Sequence, residues 1–238
     1  MSKSKKKNEI AVVGQGFVGI PMSILIADKT NCVVNGIDKN DFNGKLIKET
    51  LEKNLLPFKS RDLLLLKKFK KVRKLQKYKI SLNLGIIKNC DKIIISVSFD
   101  FTKKNSIKNL KNLFLEISKY VKKKTLIILE TTLPPGTSEK IIIPLLEKNL
   151  KKRKMKLDDL YFAYSYERVT PGNNYYNSIS NSFRVYAGLN NKSAIRCEKF
   201  LKEIINTKKY PLTKLESIKD CEASKIFENT YRAVNIAL

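Results

Sequence analysis

The feature that most restricts the fold is a glycine-rich turn between two apolar segments near the start of the chain. In "EIAVVGQGFVGIPMSILIAD" a short apolar run precedes Gly14, Gly16 and Gly19, and an apolar-periodic segment follows to about Asp28. Gly14 permits a tight turn, Gly16 lets a ligand approach the backbone, and Gly19 lets the following helix pack closely on the strand. The helix N-terminus adds unpaired N–H groups and partial positive charge. This pattern predicts a strand, a phosphate-binding turn and a helix.

A second apolar run supplies the residue that selects the ligand. "CVVNGIDKN" ends its apolar part at Asp38, roughly 20 residues beyond the last glycine, where dinucleotide-binding folds place an acid. A carboxylate there accepts hydrogen bonds from the adenosine ribose and disfavours a 2′-phosphate. Strand, turn, helix, second strand and terminal acid together predict an NAD site.

Strand-like and helix-like segments alternate through the rest of the chain. "CDKIIISVSFD", "TLIILETT", "LYFAYSYE" and "FRVYAGL" read as strands, and amphipathic segments such as "SIKNLKNLFLEISKYVKK" separate them. This alternation predicts an α/β fold with a doubly wound, mostly parallel, Rossmann-like sheet.

Polar residues follow these strands at their carboxyl ends, where ligands bind in such sheets. "SVSFD" follows one strand, "ETTLPPG" the next and "YSYERVTPGN" a later one. Taken singly, Glu130, Thr131 and Thr132 read as a strand end and a turn, and Glu167 with Arg168 reads as a local ion pair. Because the carboxyl ends of parallel strands meet at one edge, we expect these residues to form one site with the glycine turn.

Composition excludes several classes of enzyme. The chain has no histidine, which rules out within it a Ser-His-Asp triad, a His-ligated metal and a histidine base. Its four cysteines form no CxxC pair, and no signal peptide or membrane-length apolar run is present. We therefore expect a cytoplasmic protein without metal or membrane insertion. The formal net charge is +26, but the lysines are spread along the whole chain, so we expect a solvated surface and no nucleic-acid partner.

The last segment, "CEASKIFENTYRAVNIAL", reads as an amphipathic helix. On a period of 3.6 residues its polar side chains form one stripe, and its apolar side chains gather on the remaining surface. The stripe contains Glu222, Lys225, Asn229 and Arg232, and the apolar set contains Ala223, Ile226, Phe227, Val234 and Leu238. We expect the apolar side to be packed and the stripe to face a site. No Gly, Asn or Pro stop signal follows, so the sequence reads as truncated.

Together these segments resemble the nucleotide-sugar 6-dehydrogenases, the family of UDP-glucose and UDP-N-acetylhexosamine dehydrogenases. The resemblance rests on "VVGQGFVGIPMS", "ETTLPPGTSEKIIIPLLE", "ERVTPGN", "RVYAGL" and "EASKIFENTYRAVNIAL", in this order. It implies a basic flexible tail at residues 1–8, an NAD-binding domain at 9–210 and the start of a central, dimerising helical domain at 211–238. It also implies a homo-oligomer for the full-length protein.

The chemistry that the resemblance implies is an NAD-dependent, four-electron oxidation of the C6 alcohol of a UDP-linked sugar to a carboxylate. A cysteine thiolate captures the intermediate aldehyde. By position, Thr132 would help to hold the catalytic water, and Glu167 would be the acid/base or water-activating carboxylate. Lys225 and Asn229 would stabilise oxyanions. Arg168 would contact the substrate, and "GIPMS" and "ERVTPGN" favour a UDP-N-acetylhexosamine over UDP-glucose. The cofactor-binding residues expected are Gly14, Gly16, Phe17, Val18, Gly19, Asp38, Val97, Glu130 and Thr131.

Some residues depart from the family pattern. Ser98, Phe99 and Asp100 follow Val97 where the family commonly reads V-P-T-P, and Tyr166 replaces the proline that usually precedes the site glutamate. The G-G-x-C segment that carries the nucleophile is not among the 238 residues, so we expect the isolated chain to be inactive. Two alternatives stay open. One is a different small NAD-dependent hydroxyacid dehydrogenase with Lys225 as its base, and the other is a non-catalytic NAD-binding or interaction module.

Overall fold

A computed structural model describes residues 8–103 and 105–238 of the chain. The basic tail expected at residues 1–8 lies, except for residue 8, outside the described residues. Within the described part, eight strands form one sheet. The strands are β1 (Glu9–Val13), β2 (Val33–Ile37), β3 (Tyr78–Ser81), β4 (Lys92–Ile95), β5 (Leu126–Leu129), β6 (Tyr161–Tyr164), β7 (Arg184–Gly188) and β8 (Leu212–Lys214).

The order of the strands confirms the predicted fold class. It is β3-β2-β1-β4-β5-β6-β7-β8, and every neighbouring pair runs parallel except β6 and β7. The chain therefore winds outward in one direction from β1 and then in the other from β4. This reversal between β1 and β4 is the topological switch point, outside which open α/β sheets bind their ligands.

Eight α-helices connect or follow the strands in the described part of the chain. They are α1 (Gly19–Lys29), α2 (Phe42–Glu52), α3 (Leu63–Lys74), α4 (Ser106–Tyr120), α5 (Ile143–Lys152), α6 (Tyr175–Ser180), α7 (Asn191–Ile204) and α8 (Ile218–Ala237). Side-chain caps begin several of them, as at Asp62, whose carboxylate accepts from the N–H of Leu64 and Leu65. Among residues 8–103 and 105–238, no helix combines the length and apolar character that crossing a bilayer requires.

Helices cover both faces of the sheet. On one face Ile24 of α1 and Phe200 of α7 are buried in one apolar cluster, and on the other Phe114 of α4 and Leu146 of α5 are buried in a second. Successive residues of a strand point to opposite faces and so feed both clusters. The central strands therefore read as continuous apolar runs and not as alternating ones.

The sheet continues past the domain boundary expected at residue 210. β8 pairs parallel with β7, and α8 packs against β6 and β7. Ile218 and Cys221, in the first turns of α8, are buried in the core. The start of α8 therefore belongs to the same packed unit as the sheet.

Candidate active site

The predicted site residues collect along the carboxyl edge of the parallel strands. The glycine turn follows β1 there, and α8 lies beside the same edge. Lys225 of α8 contacts Glu167, which follows β6, and Glu222 contacts Gly136, which follows β5. Residues far apart in the sequence thus meet at one side of the sheet.

The glycine turn has the close approaches that its sequence predicts. Gly14 has φ +93° and its N–H donates to the carbonyl of Ile37 at 2.8 Å. A Cβ on Gly14 would lie 2.7 Å from the Ser96 carbonyl oxygen, and one on Gly19 would lie 1.7 Å from the Gly14 carbonyl oxygen. A Cβ on Gly16 would meet nothing within 4 Å. The turn therefore requires glycine at positions 14 and 19, where a side chain would clash with the backbone. Gly16 has open space beside it, just before the start of α1.

Asp38 is fixed next to this turn. Its Oδ2 accepts from the N–H of Gln15 at 2.9 Å, and its Oδ1 accepts from the N–H of Lys39 at 2.7 Å. The N–H groups of Phe17 and Val18 donate to no acceptor in the described part of the chain. Open space at Gly16, unpaired N–H groups at a helix N-terminus and a carboxylate beside them fit the diphosphate and ribose of a dinucleotide.

The two threonines that follow β5 differ in their hydrogen bonds. The Thr131 hydroxyl donates to the Val97 carbonyl at 2.9 Å, and the Tyr164 hydroxyl donates to the Thr131 carbonyl at 3.0 Å. Thr131 thus ties the ends of β4, β5 and β6 together. Thr132 is half-buried, and its hydroxyl makes no hydrogen bond within residues 8–103 and 105–238. Its hydroxyl is therefore the one at this strand end that remains available to a ligand.

Glu130, expected to contact the cofactor, is held by a buried ion pair beneath the edge. Its carboxylate lies 2.8 Å from Nη1 of Arg184, and the two side chains are 2% and 0% exposed. The Ser96 hydroxyl donates to its other oxygen at 3.0 Å. Burial raises the pKa of Glu130, and the arginine opposes this rise. Both carboxylate oxygens therefore already have protein partners.

Lys225 and Glu167 form the most concentrated polar contact of the site. The Lys225 ammonium donates to the Glu167 carbonyl at 2.8 Å and lies 3.8 Å from its carboxylate. It also lies 5.0 Å from the centre of the Tyr166 ring, a cation–π distance. Burial lowers the pKa of Lys225, while Glu167 and Glu228 oppose that shift. A desolvated cation is thus held at the end of β6.

Asn229 and Arg168 lie further out. Asn229 is one helical turn beyond Lys225 and exposed. Nε of Arg168 lies 2.7 Å from the Glu228 carboxylate. The structure therefore brings Glu167 and Lys225 into contact, leaves the Asn229 amide at the surface, and places Arg168 in an ion pair with α8.

The burial of α8 differs from the expected pattern. Glu222 and Lys225 of the polar stripe are buried, whereas Phe227 is 73% exposed and Val234 is 52% exposed. The expectation was wrong because the sheet edge supplies hydrogen-bond partners that compensate the burial of polar side chains. From Phe227 onward most of α8 is exposed, including Asn229 and Arg232 of the stripe.

Glu222 explains how α8 is attached. Its carboxylate accepts from the N–H of Gly136 at 2.5 Å, from the N–H of Ser138 at 2.9 Å and from the Ser138 hydroxyl at 2.7 Å. A carboxylate at the start of a helical segment is favoured by the unpaired N–H groups and the helix dipole. Glu222 thus fixes the loop that carries Thr132 against the helix that carries Lys225.

A comparison with known protein families shows to which family the chain belongs. The model of the UDP-glucose/GDP-mannose dehydrogenase family, NAD binding domain, matches residues 8–207. The chain belongs to this family. NAD is accordingly the cofactor of the domain, as the glycine turn and Asp38 predicted, and the resemblance to nucleotide-sugar dehydrogenases is confirmed.

Individual relatives in the family are similar over half their length. The chain is 32% identical to the UDP-N-acetyl-D-mannosamine dehydrogenase of Methanocaldococcus jannaschii, over 100% of this chain and 52% of that protein. It is 30% identical to a UDP-N-acetyl-D-glucosamine 6-dehydrogenase of Pseudomonas aeruginosa, over 98% of this chain and 51% of that protein. The crystal structure of an NDP-N-acetyl-D-galactosaminuronic acid dehydrogenase from Methanosarcina mazei Go1 gives a TM-score of 0.84 at 25% identity, covering 95% of this chain and 47% of that one. The chain spans about half the length of the curated relatives it matches.

Two departures from the pattern of this dehydrogenase family have local explanations. Asp100 forms a turn, because its carboxylate accepts from the N–H of Thr102 at 2.9 Å and from its hydroxyl at 2.6 Å. Tyr166 is buried and places its ring under the Lys225 ammonium. Nothing in the structure explains Ser98, and Phe99 contacts Phe101.

The four cysteines of this NAD-binding domain are not accessible to a substrate. All four are buried thiols. Burial raises the pKa of Cys90 and Cys221 to about 12 and also raises that of Cys197. A catalytic cysteine needs an accessible thiolate near neutral pH. None of the four meets that requirement.

Sequence reasoning missed Arg184 and the bonding role of Glu222. The sequence could have indicated a buried partner for Arg184, because a charged residue at the start of the apolar run "RVYAG" needs one when the strand is buried. No sequence pattern identifies the partners of Glu222, because Gly136 and Ser138 lie more than 80 residues away.

Proposed function

We propose that this chain supplies the NAD-binding half, and part of the catalytic site, of a UDP-N-acetylhexosamine 6-dehydrogenase. The observation that carries the proposal is the buried Lys225 ammonium beside Glu167, at the same sheet edge as the NAD-binding glycine turn. The choice of sugar is supported by two relatives, which are named for UDP-N-acetyl-D-mannosamine and UDP-N-acetyl-D-glucosamine.

The proposed reaction converts the C6 alcohol through an aldehyde to a carboxylate. NAD supplies the hydride acceptor, and two NAD and one water are consumed for each sugar. Lys225 and Asn229 direct a cation and an amide donor at the oxygen that becomes negative, and one such donor contributes about 3–4 kcal/mol. Glu167 accepts a proton, and the Thr132 hydroxyl holds the water. Arg168, when released from Glu228, contacts the substrate.

The nucleophile is proposed to come from outside these 238 residues, because the four cysteines within them are buried. We therefore expect the purified chain to bind NAD and to form no NADH from UDP-N-acetyl-D-glucosamine, UDP-N-acetyl-D-mannosamine or UDP-glucose. Turnover of any of these sugars would contradict the incomplete site. Oxidation of a small hydroxyacid with one NADH per substrate would favour the alternative in which Lys225 is the base.

NAD binding is measured by calorimetry on the wild-type chain and on Asp38→Ala. Loss of the ribose acceptor should weaken binding by about tenfold or more. Asn40→Ala, two residues further on and exposed, is the matched control and should bind NAD as the wild type does. Equal binding by all three proteins would refute the role of Asp38.

The catalytic roles are tested in a chimera. Residues 8–238 of this chain replace the matching half of the M. jannaschii relative, and NADH formation from UDP-N-acetyl-D-mannosamine is followed. Lys225→Met should lower kcat by about 100-fold or more, whereas Lys219→Met, exposed on the same helix, should not. If the two variants have the same kcat, Lys225 has no catalytic role.

We also propose that the protein assembles as a homo-oligomer through the exposed apolar side of α8. Phe227, Tyr231, Val234 and Leu238 are spaced by four, three and four residues, which is the seam spacing of paired helices. All four side chains are at least half exposed. A contiguous apolar stripe of this kind is typical of a protein interface.

A further inference from the structure

The glycine turn contains a backbone carbonyl that its own helix cannot satisfy. In an α-helix the N–H of each residue donates to the carbonyl four residues earlier. At the start of α1, Ile20 donates to Gly16 at 3.2 Å and Met22 donates to Val18 at 3.0 Å. The residue between them is Pro21, which has no N–H. The Phe17 carbonyl therefore receives no hydrogen bond from α1.

Tyr175 of α6 supplies the missing donor. Its hydroxyl donates to the Phe17 carbonyl across 158 positions of sequence. The Phe58 ring lies between the two, with centroid distances of 5.1 Å to Phe17 and 5.9 Å to Tyr175. Tyr175 is buried, and burial raises its pKa above the ordinary 10.0, so the hydroxyl remains a donor. The Phe58 ring thus packs against both residues that make the contact.

Fixing this carbonyl also fixes an N–H group. The Phe17 carbonyl and the Val18 N–H belong to one planar trans peptide, so they point in opposite directions. When the Tyr175 hydroxyl holds the Phe17 carbonyl, the Val18 N–H points away from Tyr175. This N–H is at the N-terminus of α1 and donates to no acceptor among the described residues. It is therefore presented where the NAD diphosphate binds.

Tyr175 also lies at a junction between the two parts of the site. It follows the segment at 165–174 that contains Glu167 and Arg168. The Thr170 N–H of this segment donates to the Ser178 hydroxyl of α6 at 3.1 Å. The N–H of Tyr176 donates to the Asp62 carboxylate at 2.7 Å. The phenol of Tyr175 is thus carried by an anchored helix.

We propose that Tyr175 is a positioning residue for the cofactor diphosphate, which it orients by replacing the backbone donor that Pro21 removes from the Phe17 carbonyl. The inference concerns NAD binding by this domain and does not depend on which sugar is oxidised. It predicts that cofactor affinity is controlled from a helix outside the glycine turn.

The test compares three ligands on Tyr175→Phe, which keeps the ring and its stacking. NAD and ADP-ribose contain the diphosphate, and their Kd should rise by about tenfold, the lower end for loss of a hydrogen bond to a charged group. The Kd of adenosine, which lacks the diphosphate, should stay unchanged. Unchanged Kd values for NAD and ADP-ribose would overturn the proposal. So would an equal loss for all three ligands, because it would indicate a general disturbance of the fold.

Tyr176→Phe is the matched control. It removes a hydroxyl from the same helix that donates to Asp28 at 2.8 Å, at the other end of α1. It should lower the melting temperature and leave the Kd of NAD unchanged. If it weakens NAD as much as Tyr175→Phe does, the effect comes from α6 as a whole and the proposal fails.

A rescue variant separates positioning from packing. Pro21→Ala in the Tyr175→Phe background restores a backbone N–H that can donate to the Phe17 carbonyl as in an ordinary helix. The double variant should recover most of the lost NAD affinity. Failure to recover it, in a protein whose circular dichroism matches the wild type, would show that this carbonyl does not control cofactor binding.

Discussion

Replacing Arg184 by methionine should destabilise this NAD-binding domain in a way that depends on pH. Arg184 and Glu130 are 2.8 Å apart, with side chains 0% and 2% exposed. Methionine keeps much of the apolar volume and removes the charge. The Glu130 carboxylate would then remain buried with the Ser96 hydroxyl as its partner.

The magnitude follows from two opposing contributions. Removing one partner of a buried ion pair costs about 3–5 kcal/mol of folding free energy. However, Nε and Nη2 of Arg184 have no hydrogen-bond partner in the described part of the chain, and a buried unsatisfied donor costs about 1–3 kcal/mol. The substitution relieves part of that cost. We therefore expect a net loss of about 2–3 kcal/mol near pH 8.

The loss should disappear in acid. In the variant, burial raises the pKa of Glu130 above its ordinary 4.5 and no arginine opposes it. A carboxyl whose pKa is higher in the folded state stabilises the fold below the unfolded pKa, and this stabilisation is lost as the pH rises through the folded pKa. The deficit relative to the wild type should thus be small near pH 4.5 and fully developed at neutral to alkaline pH.

The assay is urea unfolding followed by circular dichroism, with both proteins measured at each pH. The double variant Arg184→Met with Glu130→Gln contains neither charge and should regain most of the stability at high pH. Arg196→Met, which removes an arginine stacked at the surface on Tyr161, should cost less than about 1 kcal/mol. The same deficit at both pH values, or a double variant no more stable than Arg184→Met, would refute the reasoning.

Three further outcomes are expected. Glu222→Gln turns an amide NH₂ toward one of the backbone N–H groups from which the carboxylate accepts, so the free energy of unfolding should fall by about 2 kcal/mol. Glu139→Gln, at an exposed position, should change it little. Equal effects of the two substitutions in urea unfolding would show that Glu222 does not hold α8 to the loop. Burial would raise the pKa of Asp28, but hydrogen bonds from two lysines and a tyrosine hold it below its ordinary 3.8. The stability of the wild type should therefore fall as the pH drops below 3.8. The stability of Asp28→Asn should depend less on pH in acid unfolding. Tyr231→Glu should lower the mass measured by light scattering, and an unchanged mass would exclude this side of α8 as the interface.

The cofactor half of the site could be predicted because its signals are local. The three glycines, the strand before them and Asp38 lie within one short βαβ segment, whose geometry is fixed by steric limits at Gly14 and Gly19. The strands were recognised for a similar reason, since a strand buried on both faces must be apolar throughout. β3 (YKIS) and β8 (LTK) contain polar residues and are only partly buried, so they show no continuous apolar run, and pairing with neighbouring strands determines them.

The proposed catalytic half of the site depended on tertiary contacts. Periodicity separated the polar from the apolar residues of α8, but only the sheet edge determined that Glu222 and Lys225 are buried, because both find partners there. Glu130 could be placed at the strand end but not turned toward Arg184, which lies 54 positions away. By itself, the sequence determined the NAD-binding turn and the α/β alternation, because both follow from local backbone geometry and apolar periodicity. The tertiary structure decided which polar groups are buried, because that depends on partners that the chain brings together only when it folds.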